Sequence, residues 1–145
     1  MRKILITYII SILCLNSLSA QQYTRQYITD ANTIALEWWN QVNNKQYKKA
    51  YSGLSQVLKD RFTLENWLNQ ISMLMDEIGA LNTRTVKDTY FKSEIDGYEN
   101  GFYVAVEYDV NYSKTKNHSE YLLLKQSDQF KWEIFDLNWT FENLE

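Results

Sequence analysis

The chain has 145 residues, of which 45% are hydrophobic and 15% aromatic, and its formal net charge at pH 7 is −3. This acidic balance argues against a nucleic-acid partner, because phosphate backbones are bound by basic surfaces. The length fits a single domain with a core large enough to fold without disulfides, and the lack of proline and of low-complexity stretches gives no sign of a linker.

The first twenty residues have the three-part layout of a secretory signal peptide. A basic start precedes an apolar run over residues 4–15, and small residues lead up to Ala20. We expect cleavage after Ala20, export to the periplasm or the extracellular space, and a single domain over residues 21–145 with no integral membrane segment. Cys14 is a poor lipoprotein site, because such sites favour glycine or alanine just before the cysteine and Leu13 stands there.

After a loose lead-in over residues 21–29, a first helix is predicted from an N-cap at Thr29 or Asp30 to about Asn43. Apolar residues at steps of three and four indicate its buried face: Ile28, Ala31, Ala35, Trp38 and Val42. Adjacent residues lie about 100° apart on a helix, so Trp38 and Trp39 should not both face inward. We therefore predict that Trp39 lies partly exposed at the rim of the helix–sheet opening, where it contacts a ligand or a second copy of the chain.

Two more helices are predicted before the strands. A short helix has one apolar face, weakened by Gly53, that consists of Tyr47, Ala50, Tyr51, Leu54 and Leu58. Thr63 caps the clearest helix, which runs from Leu64 to Ile78 and ends at Gly79, a natural C-cap residue.

Alternating apolar and polar residues then predict a sheet. Residues 81–95 should form an edge or bent strand, because their alternation is poor. Residues 102–112 read as a half-buried strand, with Val106 on the inner face and Glu107 on the other. A polar turn leads to a strand over residues 121–124, and large apolar residues mark a last strand from Trp132. The predicted fold is α+β, with three N-terminal helices packed on a curved four-stranded antiparallel sheet.

Residues spread over nearly all of the mature chain resemble one family in their order and spacing. They are Ala35-Leu36-Glu37-Trp38-Trp39, Tyr47, Ala50-Tyr51, Trp67, Ile78-Gly79-Ala80-Leu81, Arg84, Gly101-Phe102-Tyr103-Val104, Tyr108, Glu120 and residues 132–139. This pattern resembles the bacterial secreted domain-of-unknown-function family 4019. The resemblance implies a cone-like fold of the nuclear transport factor 2-like or cystatin-like type, in which helices pack into the concave side of a curved sheet, and it implies no particular activity.

Asp136 has two possible orientations. In simple alternation it shares a face with Trp132 and Ile134 and points toward the helices, where burial would raise its pKa and suit a general base. A β-bulge near Phe135 would instead turn Asp136 outward and place four large apolar side chains inside. These are Phe135, Leu137, Trp139 and Phe141. We favour the bulge, because burying a carboxylate is costly and burying apolar side chains is favourable.

Five aromatic residues either line an apolar ligand pocket or form plain core, which is the favoured role for each taken alone. They are Trp38, Trp39, Tyr51, Trp67 and Trp139. Arg84 should anchor an acid of the sheet or of a helix, or alternatively accept an anionic ligand. His118, the only histidine, is expected in a solvated loop rather than as a catalytic base. No residue spacing matches a metal site, and no cofactor is expected.

Two functional hypotheses follow. The first is an exported, soluble, non-catalytic binding or protein-interaction domain, whose partner is a small apolar ligand, another protein or a second copy in a homodimer. The alternative is a small-molecule enzyme of the isomerase or hydrolase type that uses Asp136 in an enclosed apolar pocket. They differ in whether Asp136 is buried beside a cavity or faces solvent.

Overall fold

The computed structural model describes the backbone of residues 2–115 and 118–140 and the side chains of residues 21–115 and 118–140. Within these ranges, four helices precede four strands. The helices are α1 (Arg2–Asn43), α2 (Tyr47–Ser52), α3 (Gln56–Arg61) and α4 (Leu64–Ile78), and the strands are β1 (Leu81–Lys92), β2 (Tyr103–Tyr112), β3 (His118–Gln126) and β4 (Trp132–Thr140). The predicted α+β class and four-stranded antiparallel sheet are confirmed.

Helix α1 begins at Arg2, so the predicted N-cap at Thr29 or Asp30 and the loose lead-in before it are wrong. Thr29 does not cap the helix, because its hydroxyl donates to the Arg25 carbonyl at 2.9 Å within the same helix. Tyr27 and Ile28 belong to the supposed lead-in and pack against the core. This packing stabilises the helical conformation of the segment. The predicted end at Asn43 is confirmed.

The predicted second helix is in fact two, so the described part of the chain has four helices rather than three. Between α2 and α3 the Gly53 carbonyl accepts from the Ile134 N–H at 3.0 Å, and the Ser55 N–H donates to the Ile134 carbonyl at 2.8 Å. Ser55 also caps α3, because its hydroxyl accepts from the Leu58 N–H at 3.4 Å. The segment between α2 and α3 thus covers part of the free edge of β4.

Helix α4 is confirmed from its N-cap at Thr63 to its C-cap at Gly79. The Thr63 hydroxyl accepts from the Asn66 N–H at 3.3 Å. Gly79 has a φ of +87°, a left-handed conformation that suits glycine, and a Cβ at this position would collide with Ser113. The buried residues of the helix are Trp67, Ile71, Met75 and Ile78.

The sheet has the order β1-β2-β3-β4, so β1 and β4 are its edges. β1 is an irregular edge strand, as predicted, with a register shift between Val86 and Asp88. The prediction for the inner face of β2 is also confirmed, since its inward residues join all four helices in one core. Those residues are Val104, Val106, Tyr108, Val110 and Tyr112. β3 begins at His118, earlier than the predicted third strand.

A second, smaller core cluster lies on the outer face of the sheet, and the alternation of β2 does not predict it. It consists of Tyr103, Ala105, Leu123 and Phe135. The connection between β1 and β2 covers this cluster, because Ile95 and Tyr98 pack against it. β2 is therefore buried on both faces at its start and half-buried only toward its end, where Asp109 is exposed.

Candidate functional site

The two adjacent tryptophans of α1 are both in the core. Trp38 is 2% exposed and Trp39 is 1% exposed, so the prediction that Trp39 lies partly exposed at a rim is wrong. Trp38 points toward α2 and α4. Its Nε1 donates to the Ala50 carbonyl at 3.0 Å, and its ring centroid lies 6.0 Å from that of Trp67.

Trp39 points the other way, toward the sheet. Its ring meets Tyr108 of β2 and Trp139 of β4 edge-on, with centroid distances of 6.2 and 5.8 Å. Helix α1 therefore lies between a helical layer and the sheet. Two side chains about 100° apart can both be buried in this arrangement, because each faces a different layer.

The remaining predicted aromatic residues also belong to the core. Trp67 is 4% exposed, and its Nε1 donates to the Tyr47 carbonyl at 2.9 Å. The Tyr51 hydroxyl donates to the Phe62 carbonyl at 3.0 Å, and Trp139 is a partly buried neighbour of the main cluster. These contacts fix the rings as packing units, which is the role that the sequence favours for them.

Arg84 forms a buried, two-pronged ion pair with Glu120 of β3, so the predicted structural ion pair with an acid of the sheet is confirmed. The Arg84 Nε to Glu120 Oε2 distance is 2.7 Å, and the Nη2 to Oε1 distance is 3.2 Å. The side chains are only 7% and 0% exposed. Tyr112 completes the group, because its hydroxyl donates to Glu120 Oε1 at 2.7 Å and accepts from Arg84 Nη2 at 2.8 Å.

Aromatic rings enclose the Arg84 guanidinium. Its Cζ atom lies 4.0 Å from the centroid of the Trp39 ring and 5.9 Å from that of Tyr108, which places the cation within reach of both π faces. Burial raises the pKa of Tyr108 to about 12, so this phenol stays neutral near pH 7. Burial, with the Glu120 carboxylate, also raises the pKa of Tyr112. Arg84 thus has its charge and its planar face satisfied within the protein.

His118 lies at the start of β3 on the same face as Glu120, and it is 3% exposed. The prediction of a solvated loop residue is therefore wrong, because β3 begins before the supposed turn ends. The imidazole stacks on Tyr112 with a centroid distance of 5.1 Å. Burial lowers its pKa, which favours the neutral ring near pH 7.

The predicted β-bulge at Phe135 is confirmed by the pairing of β3 with β4. Leu123 pairs with Asp136 and Leu124 pairs with Ile134, which leaves Phe135 as the extra residue. Both Phe135 and Asp136 consequently lie on the outer side of the sheet. Phe135 joins the outer cluster, so the expectation that it lies with the inner residues is wrong.

Asp136 is turned outward, as the bulge predicts. Its side chain is 34% exposed and lies 3.8 Å from Arg61 Nη1, and its Oδ2 accepts from the Tyr98 hydroxyl at 3.3 Å. Leu137 and Trp139 pack against the main core, as expected. Phe141, the fourth residue of that expectation, lies outside the described residues.

Half-buried tyrosines surround the outer cluster, and we call them the outer tyrosine face: Tyr90, Tyr98 and Tyr121. The Tyr98 ring meets Phe135 edge-on at 5.0 Å. Lys125 places its Nζ 5.5 Å from the centroid of the Phe135 ring. Burial raises the pKa of Tyr121, so its hydroxyl remains a neutral hydrogen-bonding group.

Open clefts indent the surface of residues 21–115 and 118–140, and five of them have volumes of about 180–490 Å³. None of these five is lined by Arg84, Glu120 or Asp136. In the same ranges, no group of three or more histidine, cysteine, aspartate or glutamate residues is placed to hold a metal ion. Over the described residues, no helix has the length and apolar character needed to cross a membrane.

Sequence reasoning missed Glu120 and Tyr112 as partners of Arg84. A signal for Glu120 was present, because it stands two and four residues before Leu122 and Leu124 and therefore shares their buried face. A carboxylate in that register needs a buried cation, and Arg84 is the inward residue of β1 that can reach it.

Residues 34–136 match the family described as "Protein of unknown function (DUF4019)". No curated protein and no solved structure matches the chain. The matched range contains every inward-facing residue of the Arg84 group, including Trp39, Tyr108 and Glu120.

Proposed function

Since the chain belongs to the DUF4019 family of proteins of unknown function, we propose a role from its own geometry: an exported, soluble, non-catalytic binding or protein-interaction domain. The signal-peptide layout supports export, cleavage after Ala20 and a periplasmic or extracellular location. We also propose a cone-like arrangement of the nuclear transport factor 2-like or cystatin-like type. Its support is the main core cluster, which joins residues of all four helices to the inner face of the sheet.

The observation that carries this proposal is that the buried charged pair of Arg84 and Glu120 is already compensated within the protein. Arg84, Glu120 and Tyr112 bind one another, and Trp39 covers the guanidinium. A general acid or base must reach a substrate proton, and an anion-binding arginine must offer free N–H groups. The Arg84 group meets neither condition, because its side chains are almost fully buried and their charges are already compensated.

The position of Asp136 favours a binding domain over the enzyme alternative. That alternative needs a carboxylate beside an enclosed apolar pocket, whose burial would raise its pKa. Asp136 instead lies on the outer side of the sheet, within reach of the Arg61 guanidinium and the Tyr98 hydroxyl. Its carboxylate therefore has a surface cation and a phenol as partners, and its side chain is 34% exposed rather than enclosed.

We propose the outer tyrosine face as the contact surface and a protein as its partner. Tyrosine and phenylalanine are enriched at protein interfaces, because each offers a large ring and tyrosine adds a hydroxyl. Small apolar ligands are bound in enclosed pockets, whereas this face is an open surface of half-buried rings. A second copy of the chain is one protein that could occupy it.

Site-specific photo-crosslinking tests this proposal. Benzoylphenylalanine replaces Tyr121 on the outer tyrosine face or, as a control, Met73, which is 73% exposed on α4. After irradiation of the host that exports the protein, we expect a crosslinked protein of discrete mass from position 121 and none from position 73. A crosslink to the chain itself identifies a homodimer. No product at position 121, or equal products at both positions, would contradict the proposed surface.

A further inference from the structure

Three aromatic side chains are exposed at one end of the sheet, and we call them the aromatic end: Tyr23, Phe102 and Phe130. Their exposed fractions are 64%, 43% and 82%. Tyr23 stands one helical turn before Tyr27, whose ring stacks on Phe102 with a centroid distance of 5.0 Å. The Phe102 carbonyl accepts from the Gln126 N–H at 2.9 Å, which ties it to the β3–β4 hairpin that carries Phe130.

Phe130 is unfavourable at its position in two respects. The Phe130 N–H donates to the Ser127 carbonyl at 2.9 Å, and the Ser127 N–H donates to the Lys131 carbonyl at 2.8 Å, which closes a tight turn. This turn places Phe130 at a φ of +59°, where glycine or asparagine is normally found and a bulky residue is strained. The ring is also almost fully in solvent. Neither the strained backbone of Phe130 nor the exposure of its ring stabilises the fold. Both therefore indicate that Phe130 has a role other than folding.

We propose that the aromatic end inserts into the surface of a lipid bilayer and holds the domain there as a peripheral protein. Exposed aromatic rings favour the membrane–water interface, where the apolar ring is buried and polar groups stay hydrated. Phe130 projects from a hairpin tip, a shape that a bilayer accepts without a matching pocket. Charged residues close to these rings along the chain carry both signs and so should repel neither neutral nor acidic lipids: Arg25, Asp30, Lys92, Glu94, Asp128 and Lys131.

The course of helix α1 supports a lipid bilayer as the surface that the aromatic end contacts. The apolar run of residues 4–15 belongs to the same continuous helix as Tyr23. Leu15 precedes Tyr23 by about 12 Å along the helix axis, given the rise of about 1.5 Å per residue. Before any cleavage, export therefore brings the aromatic end to the membrane. This step rests on the proposed export, whereas insertion of the folded domain does not depend on the outer tyrosine face.

Flotation with lipid vesicles tests the inference on the protein as its host produces it, with the N-terminus established by intact mass. The vesicles consist of phosphatidylcholine alone or of phosphatidylcholine mixed with phosphatidylglycerol. The variants are Phe130→Gly, Phe130→Asn and the control Met73→Ala, which removes an exposed apolar side chain elsewhere. All share one N-terminus, so differences between them do not depend on where cleavage occurs.

We expect the wild type and Met73→Ala to float with both vesicle types, and both Phe130 variants to bind about tenfold more weakly or worse, since each loses one buried aromatic side chain. The Phe130 variants should also melt at higher temperature, because glycine and asparagine accept the left-handed backbone. The inference is overturned if the wild type does not float, if Phe130→Gly floats equally well, or if binding requires phosphatidylglycerol and disappears in salt. A lower melting temperature for both variants would also overturn it, because Phe130 would then be a structural residue.

Discussion

Replacing Trp39 by alanine is expected to lower the free energy of unfolding by about 3–5 kcal/mol, as much as replacing Trp38. The reason is that Trp39 is buried between α1 and the sheet, against Tyr108, Trp139 and the Arg84 guanidinium. Alanine would leave a cavity there and remove the ring that covers a buried cation. Urea denaturation followed by circular dichroism measures the difference.

Leu36→Ala is the matched control for this prediction, because Leu36 lies on the same helix and is 51% exposed. Its effect should stay within about 0.5 kcal/mol, the usual range for surface substitutions. If Trp39→Ala cost less than half as much as Trp38→Ala, Trp39 would behave as a rim residue and its burial in the core would be contradicted.

The second large effect is expected at Arg84. Arg84→Met should destabilise the protein by about 3–5 kcal/mol, because Glu120 would remain buried without its cation. Combining this change with Glu120→Leu should recover much of the loss, since an apolar pair of similar size needs no charge compensation. Denaturation of the two single variants and the double variant gives their coupling free energy.

Lys87→Met is the control for the buried pair. Lys87 and Asp109 also form an ion pair, at 3.8 Å, but their side chains are 56% and 67% exposed. Such a surface pair contributes about 0–1 kcal/mol, so its removal should be nearly silent. Additive losses for Arg84→Met and Glu120→Leu would show that the two residues do not stabilise each other.

The sequence predicts the ends of a single helix and the inner face of a single strand, because each depends on one buried face or on local capping chemistry. Thr63 and Gly79 mark the ends of α4 by capping chemistry, and Val106 lies on the inner face of β2 as alternation requires. The Trp39 prediction failed because a helical stripe assumes one packing partner. Helix α1 has a helical layer on one side and the sheet on the other, and this arrangement is not encoded within α1 alone.

The candidate site was only partly predictable for a similar reason. The bulge at Phe135 follows from the cost of burying Asp136, but the outer cluster that receives Phe135 depends on Tyr98, which comes from a distant connection. The sequence predicts a solvated His118 because its sequence neighbours are polar. It is buried because β3 continues to its position and Tyr112 of β2 supplies a stacking surface.

Native mass spectrometry of the protein recovered from the exported fraction tests the central claim most directly, namely that the interior is filled and the function lies on the outer surface. We predict the mass of residues 21–145, alone or with a bound protein, and no retained small molecule. A small apolar molecule that stays bound at one per chain and is released on unfolding would contradict the claim. It would need space inside the core that Trp38, Trp39 and Tyr108 fill.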